Sequence, residues 1–174
     1  MNKKPLIAYF SHDGEAYVSG KIVELEIGNT KAAAQMIQNL TDSELFCIET
    51  ETPYPHDYMQ TVGIAKEELQ KNARPALKGS IPNLEDTDVV ILGFPNWWGT
   101  MPMAVFHFLE SYDFSGKTIL PLCTHEGSKM GHSEADIKRL CPNAKVKTGL
   151  PITGGSVSKS KSQIEKWLKS NEII

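Results

Sequence analysis

Three short stretches carry residue types that could do chemistry together. The first is Ser11, followed at a distance by Gly28-Asn29-Thr30. Hydroxyls and amides at the start of a helix favour an anion, a phosphate above all, because backbone N–H groups there are unpaired and the helix dipole points the right way. Simple helix capping is the competing reading. The second is Pro95-Asn96-Trp97-Trp98-Gly99, two adjacent indoles on a loop. Large rings there are costly unless something covers them, and a flat ligand would; core packing or a subunit contact would also do so. The third is Thr124-His125-Glu126-Gly127, whose backbone could line one edge of a ring, or form an ordinary glycine-containing turn.

Other chemistries fail on inspection. No G-x-G-x-x-G and no G-x-S-x-G occurs. Gly116-Lys117-Thr118 has the look of a phosphate-loop fragment, yet position 111 is Ser and a strand follows where a helix is needed. His125, Glu126, His132 and Glu134 lack the helical H-E-x-x-H spacing of a zinc site. Cys123 and His125 would have to meet from positions two apart at a strand end, so a buried structural thiol is the better reading of Cys123.

The totals exclude further classes. The chain has 174 residues, 40% hydrophobic and 22% charged, which is ordinary for a globular protein read as one unit over 1–174. Eighteen basic residues against 21 acidic ones give a net charge of −3 and no basic footprint for nucleic acid. Three cysteines, Cys47, Cys123 and Cys141, form no C-x-x-C, and their odd number favours reduced thiols. Near the start, the apolar run Leu6 to Phe10 is too short for a signal peptide or a membrane span. A cytoplasmic protein without membrane or nucleic-acid partners is the expectation.

The elements that must position these stretches alternate. Pro5 to Phe10 reads as a strand, and a helix opens at Gly28-Asn29-Thr30 with Asn29 or Thr30 as its cap. Between them, Glu15 to Ile27 is far longer than a usual connection and reads as an inserted β-hairpin turning at Ser19-Gly20. Leu45 to Ile48 is a second strand. His56 to Ala73 follows as a helix with Tyr58, Val62, Ala65 and Leu69 on its core face. Val89-Val90-Ile91-Leu92 reads as a strand buried on both faces, ended by Gly93 and Pro95. Pro102 suits the first turn of the next helix. Lys117 to Cys123 is a strand, Ser133 to Leu140 a helix with Ser133 as cap, and Val146 to Ile152 a last strand bent at Gly149-Leu150-Pro151. Ser158 or Ser160 starts a final helix. Such alternation predicts an α/β fold, a doubly wound parallel sheet with helices on both faces. The three unusual loops then follow strands at one sheet edge, where such folds bind ligands.

Taken together, Gly93-Phe94-Pro95-x-Trp97-Trp98-Gly99-Thr100-x-Pro102, Tyr9-Phe10-Ser11, Gly28-Asn29-Thr30, Pro53-Tyr54-Pro55, Ala73-Arg74-Pro75, Phe114-Ser115-Gly116-Lys117-Thr118 and Cys123-Thr124-His125 resemble the flavodoxin family over nearly the whole chain. The resemblance implies a five-stranded sheet of order 2-1-3-4-5 with FMN as cofactor. It also implies that Ser11, Gly28, Asn29 and Thr30 hold the phosphate. Pro95, Asn96, Trp97, Trp98 and Gly99 would line one side of the flavin ring, and Thr124, His125, Glu126 and Gly127 the other edge. The family's compact Ser-x-Thr-Gly-Asn-Thr turn is interrupted here by residues 15–27, which leaves His12, Asp13 or Gly14 as substitutes for the missing Thr. The insertion would serve as a cover over the flavin or as a homodimer contact.

The implied function is electron transfer through bound FMN, with a redox partner protein or a small acceptor such as a quinone. The alternative is an NAD(P)H- or quinone-dependent FMN reductase. A carrier should be strongly acidic around its flavin, and −3 slightly favours the reductase. An apolar, stacked site would disfavour the anionic reduced flavin and lower its potential. A phospho-receiver domain on the same topology fits poorly, because the third strand ends in Gly93-Phe94-Pro95-Asn96 with no Asp to modify. A flavin-free interaction protein is allowed by fold alone.

Overall fold

A computed structural model of the chain describes residues 4–81 and 84–174. Strand β1 (Leu6–Tyr9) leads into an antiparallel pair, β2 (Gly14–Val18) and β3 (Lys21–Leu25). Ser19 and Gly20 join the pair with φ of 51° and 86°, the two left-handed residues of a type I′ turn, which matches the natural twist of a hairpin. Helix α1 (Asn29–Thr41) follows, then β4 (Glu44–Cys47), α2 (Tyr58–Gln70) and β5 (Val89–Pro95). The remainder is α3 (Met103–Glu110), β6 (Thr118–His125), α4 (Ser133–Leu140), β7 (Lys145–Val146), β8 (Leu150–Thr153) and α5 (Lys161–Ser170).

The main sheet is parallel throughout, in the order β4-β1-β5-β6-β7, with β8 also pairing with β6. Counting β7 and β8 as one interrupted strand, this is the 2-1-3-4-5 order, a flavodoxin-like doubly wound sheet. Its strands are buried on both faces, so alternate residues enter opposite cores. Leu6, Ala8, Val90, Leu92 and Phe94 pack with α3 and Ile137 of α4 on one side; Ile7, Tyr9 and Ile91 pack with Ala33 and Ile37 of α1 and Ile164 and Leu168 of α5 on the other.

Several sequence-based boundaries shift. Gly93 does not end the third main strand, but Pro95 does. β5 runs to Pro95 itself, the final residue, where the missing N–H costs little because pairing with Thr124 of β6 continues through the Asn96 N–H (2.8 Å to the Thr124 carbonyl). The last strand breaks at residues 147–149, earlier than its glycine and proline suggest. Lys145 and Lys147 donate to the carbonyls of Lys117 and Ile119, so odd-numbered residues of β6 face this edge. Pro121 is the next of them and has no N–H to offer, so the break falls opposite a group that cannot pair.

Helix caps also differ. Gly28, not Asn29 or Thr30, is the N-cap of α1, and Ser11 Oγ accepts the Lys31 N–H at 3.1 Å. His132 precedes α4, while Ser133 Oγ donates to the Met130 carbonyl. Pro102 is likewise the N-cap of α3 rather than its first residue.

Candidate functional site

The strand ends of β1, β5 and β6 open onto one cavity of about 400 Å³. Ser11, Asn29, Thr30, Pro95, Asn96, Trp97, Trp98, Gly99, Thr124, His125 and Glu126 all line it. The other two predicted residues, Gly28 and Gly127, are not among its lining and act from behind. A Cβ on Gly28 would fall 2.5 Å from the His12 carbonyl oxygen, so glycine permits the loop after β1 to lie against the start of α1. Its N–H donates to Asp13 Oδ1 at 2.7 Å. Gly127 (φ 143°) donates its N–H to His125 Nδ1 at 2.9 Å, which leaves the ring proton on Nε2. Burial holds the His125 pKa below its ordinary value, so the imidazole is neutral near pH 7.

One end of the cavity is polar. Ser11, Asn29 and Thr30 stand at the first turn of α1, where the backbone amides of Asn29 and Thr30 have no intrahelical acceptor. Thr30 and Thr124 are buried, with their hydroxyls 2.7 Å apart. Gly154 closes this end, since a Cβ there would lie 2.6 Å from Asn29 Nδ2. Of the substitutes for the family's missing threonine, His12 lines the cavity. Asp13 is engaged with Gly28, and Gly14 begins β2.

The other end is aromatic, and the adjacent indoles have different duties. Trp97 sits edge-on to Phe10 (5.1 Å between centroids) and Tyr54 (5.0 Å), and so belongs largely to the core. Trp98 is 49% exposed, with Nε1–H donating to the Val62 carbonyl at 3.1 Å and Lys66 Nζ 5.3 Å from its ring centroid. Trp98 and Gly99 have φ of 56° and 87°, forming a type I′ turn closed by mutual hydrogen bonds between Trp97 and Thr100. Left-handed backbone is unusual for so bulky a residue, and here it turns one indole inward and its neighbour outward. Asn96 lines the cavity, but its amide is already occupied. Oδ1 accepts the Gly99 N–H and Nδ2 donates to the Lys129 carbonyl, both at 3.0 Å.

Sequence reasoning missed one wall. Tyr58, Val62 and Ala65, read as the core face of α2, line the cavity together with Thr61. Helical spacing showed which face was apolar and carried no information on whether a sheet or a cavity lay beneath it. Glu15, Ala16, Tyr17 and Leu25 of the hairpin and Ser128 complete the lining. The hairpin spans the site. Near its base, the Glu15 N–H donates to the His56 carbonyl (3.0 Å) and its carboxylate accepts the Tyr58 N–H (2.9 Å). At its tip, the Ser19 N–H donates to Glu126 Oε2 at 3.1 Å.

Two competing chemistries find no support. The Cys123 thiol donates to the Lys129 carbonyl at 3.4 Å, and burial pushes its pKa up to about 12, so it is an inert core thiol. Among the described residues no three His, Cys, Asp or Glu side chains are grouped to hold a metal. No described helix is long and apolar enough to cross a membrane.

A polar, hydroxyl-rich end joined to an aromatic end suits a molecule with a phosphate at one extremity and a flat ring at the other. Comparison with known proteins points the same way. The family model described as Flavodoxin matches residues 4–171. A crystal structure of a protein assigned as a flavoprotein from Bacteroides eggerthii is 28% identical, with a TM-score of 0.78, covering 97% of this chain and 98% of that one. A second such protein, from Bacteroides uniformis, is 26% identical with a TM-score of 0.72, covering 93% and 97%. A flavoprotein from Lactobacillus acidophilus, crystallised in complex with FMN, shares the fold at 22% identity and a TM-score of 0.62, covering 90% and 97%. No curated protein matches the chain significantly.

Proposed function

Because this chain belongs to the flavodoxin family, whose cofactor is FMN, we propose that it is a redox protein that passes electrons through FMN held in this cavity. The convergence of the three loops on one cavity, polar at one end and aromatic at the other, is the observation that carries this reading. Bound FMN supplies the electron chemistry itself.

The protein's own residues bind and shield. Ser11 Oγ, the Asn29 amide and the first-turn N–H groups of α1 would receive the phosphate without any cation, since the helix dipole and neutral donors suffice. Trp98 offers a ring face, held by Val62 and Lys66. His125, neutral with its proton on Nε2, offers a donor rather than a charge.

The reductase reading is favoured over a pure carrier by the hairpin. A strap tied to α2 on one flank and Glu126 on the other narrows the approach of a partner protein while leaving small molecules a path.

The test is to strip the purified protein of flavin, titrate it with FMN, and then reduce it stepwise without oxygen. Uptake with perturbed flavin bands is expected. Reduction in two spectroscopically distinct steps would indicate a one-electron carrier; bleaching in one step, with NAD(P)H as a competent donor, would indicate a reductase. A protein that takes up no FMN is not what is proposed here.

A further inference from the structure

The family resemblance places Thr124 at the edge of the flavin ring, but its side chain turns towards the other end of the cavity. Successive residues of a strand face opposite ways, and the even-numbered residues of β6 face α1. Leu120 and Leu122 pack there with Ala33 and Ile37, and Thr124 continues their row past the last apolar layer. Thr30 meets it from the first turn of α1, with the two hydroxyl oxygens 2.7 Å apart and the residues only 2% and 4% exposed. Gly93 of β5 leaves room for this contact, since a Cβ there would lie 3.2 Å from Thr30 Cγ2. The pair holds two hydrogens, and only one can lie between the oxygens. Among the described residues neither hydroxyl has another hydrogen-bond partner. Both residues line the cavity, so the second hydrogen is free to point into it. A buried donor without an acceptor is costly, and a ligand that accepts from it removes that cost.

We propose that Thr124 is a positioning residue of the phosphate end, acting through Thr30 rather than on the ring. Its hydroxyl donates to Thr30 Oγ1, which leaves the hydrogen of Thr30 to be given to the phosphate. This inference rests on the FMN reading above. The direction follows from charge. Were Thr30 the donor within the pair, it would offer only lone pairs to an anion held at the first turn of α1, where the unpaired amides and the helix dipole favour one. With Thr124 as donor, both the hydroxyl of Thr30 and the amides of that turn present hydrogens to the same group. A hydroxyl that accepts one hydrogen bond becomes a stronger donor in the next, so the relay tightens the contact that it orients. Thr124 is suited to the task because its strand is paired on both sides there, with Pro95 of β5 and with Ile152 of β8. A rigid strand fixes the oxygen on which the direction of Thr30 depends.

The experiment is titration of the full chain, stripped of flavin, with FMN and separately with riboflavin, which lacks only the phosphate. Thr124→Val should raise the FMN Kd roughly three- to tenfold, the worth of one hydrogen bond, and leave the riboflavin Kd within about twofold of the parent. Thr124→Ser keeps the hydroxyl and should restore FMN affinity to within about twofold. Because Thr124 acts through Thr30, the double variant Thr30→Val with Thr124→Val should bind FMN no more weakly than Thr30→Val alone. Replacing both hydroxyls by methyls leaves no orphaned partner, so this comparison carries the test even where Thr124→Val alone folds poorly. A Thr124→Val variant that loses affinity for both flavins equally, or for neither, overturns the relay, as does a double variant in which the two losses add. Each of those outcomes leaves the FMN reading intact; a parent protein that takes up no FMN overturns both.

Discussion

The turn at 96–100 and the hairpin at 14–25 face the same cavity, yet they are built on different principles. The turn grows out of the core. Trp97 completes an edge-on aromatic cluster with Phe10 and Tyr54, Asn96 braces both Gly99 and Lys129, the His132 N–H donates to the Gly99 carbonyl at 2.7 Å, and Thr100 Oγ1 donates to Asp136 at 2.6 Å. The hairpin has no core of its own. It is held by a backbone bond, a tyrosine stack and partly or fully exposed carboxylates, Glu15, Glu24 and Glu126. Isolated two-stranded ribbons are marginal in water, so its order depends on those few ties. The site thus has a fixed wall and a detachable one, and a small stability change should separate them.

Replacing Trp97 attacks the fixed wall. Trp97→Ala should cost about 3 kcal/mol by removing the ring that packs edge-on against both Phe10 and Tyr54, lowering Tm by roughly 6–12 °C. Trp98→Ala, one residue on, should cost under about 1 kcal/mol, because the indole is half exposed. It should weaken FMN binding far more than it weakens the fold. Thermal melts beside FMN titrations check the pair, and equal losses of stability would erase the distinction. Next comes Asn96→Ala, which leaves the Gly99 N–H and Lys129 carbonyl without their partner and should cost about 1–2 kcal/mol in denaturant melts.

The contrast also explains what was legible in the sequence. The parallel sheet followed from runs such as Val89 to Leu92, because a strand covered on both faces must be continuously apolar. The sheet-edge loops could be assigned to one site because strand direction is fixed by the crossovers. Ser19-Gly20 marked a tight turn by residue type alone, since glycine tolerates left-handed backbone. Where the ribbon lies was illegible. Its position depends on Ser19 meeting Glu126, 107 residues away, and no local pattern encodes that. Likewise Tyr58, Val62 and Ala65 have the spacing of any buried helix face, and only tertiary structure shows that the face looks into a cavity. The distinct duties of Trp97 and Trp98 rest on a left-handed residue that sequence does not predict for tryptophan.

Glu126→Gln should loosen the detachable wall while leaving the main sheet intact. Global stability should change by no more than about 0.5 kcal/mol, as for most surface substitutions. The Ser19 amide, having lost a charged acceptor, should exchange its hydrogen several-fold faster, as should other amides near the tip, while amides of β1 and β5 stay protected. Hydrogen exchange resolved by residue reads this directly. Uniform acceleration across the sheet would mean that the hairpin is not an independent unit.

The smallest effect is a difference in sign with pH, and it would separate the two walls most cleanly. His125 belongs to the fixed wall, beside the Thr124 strand end, and burial lowers its pKa below the ordinary value of about 6.5. Its contribution is therefore intact above the ordinary value and is lost as pH falls through the lowered one, when Nδ1 takes a proton and can no longer accept from Gly127. His56 ties the detachable wall through Nε2 to Glu24 Oε1 at 2.6 Å, and the hydrogen bond and charge of Glu24 raise its pKa. That tie is complete below the ordinary value and fades as pH rises through the raised one. Exposure and screening keep it weak. With intrinsic rates corrected, the Gly127 amide should become more labile towards acid and the β2–β3 amides more labile towards neutral and alkaline pH. Imidazole titration by NMR should place the His125 midpoint below that of His56. The reverse order would mean that the ring of His125 is not held neutral by its surroundings, and that the two walls do not respond to pH as separate units.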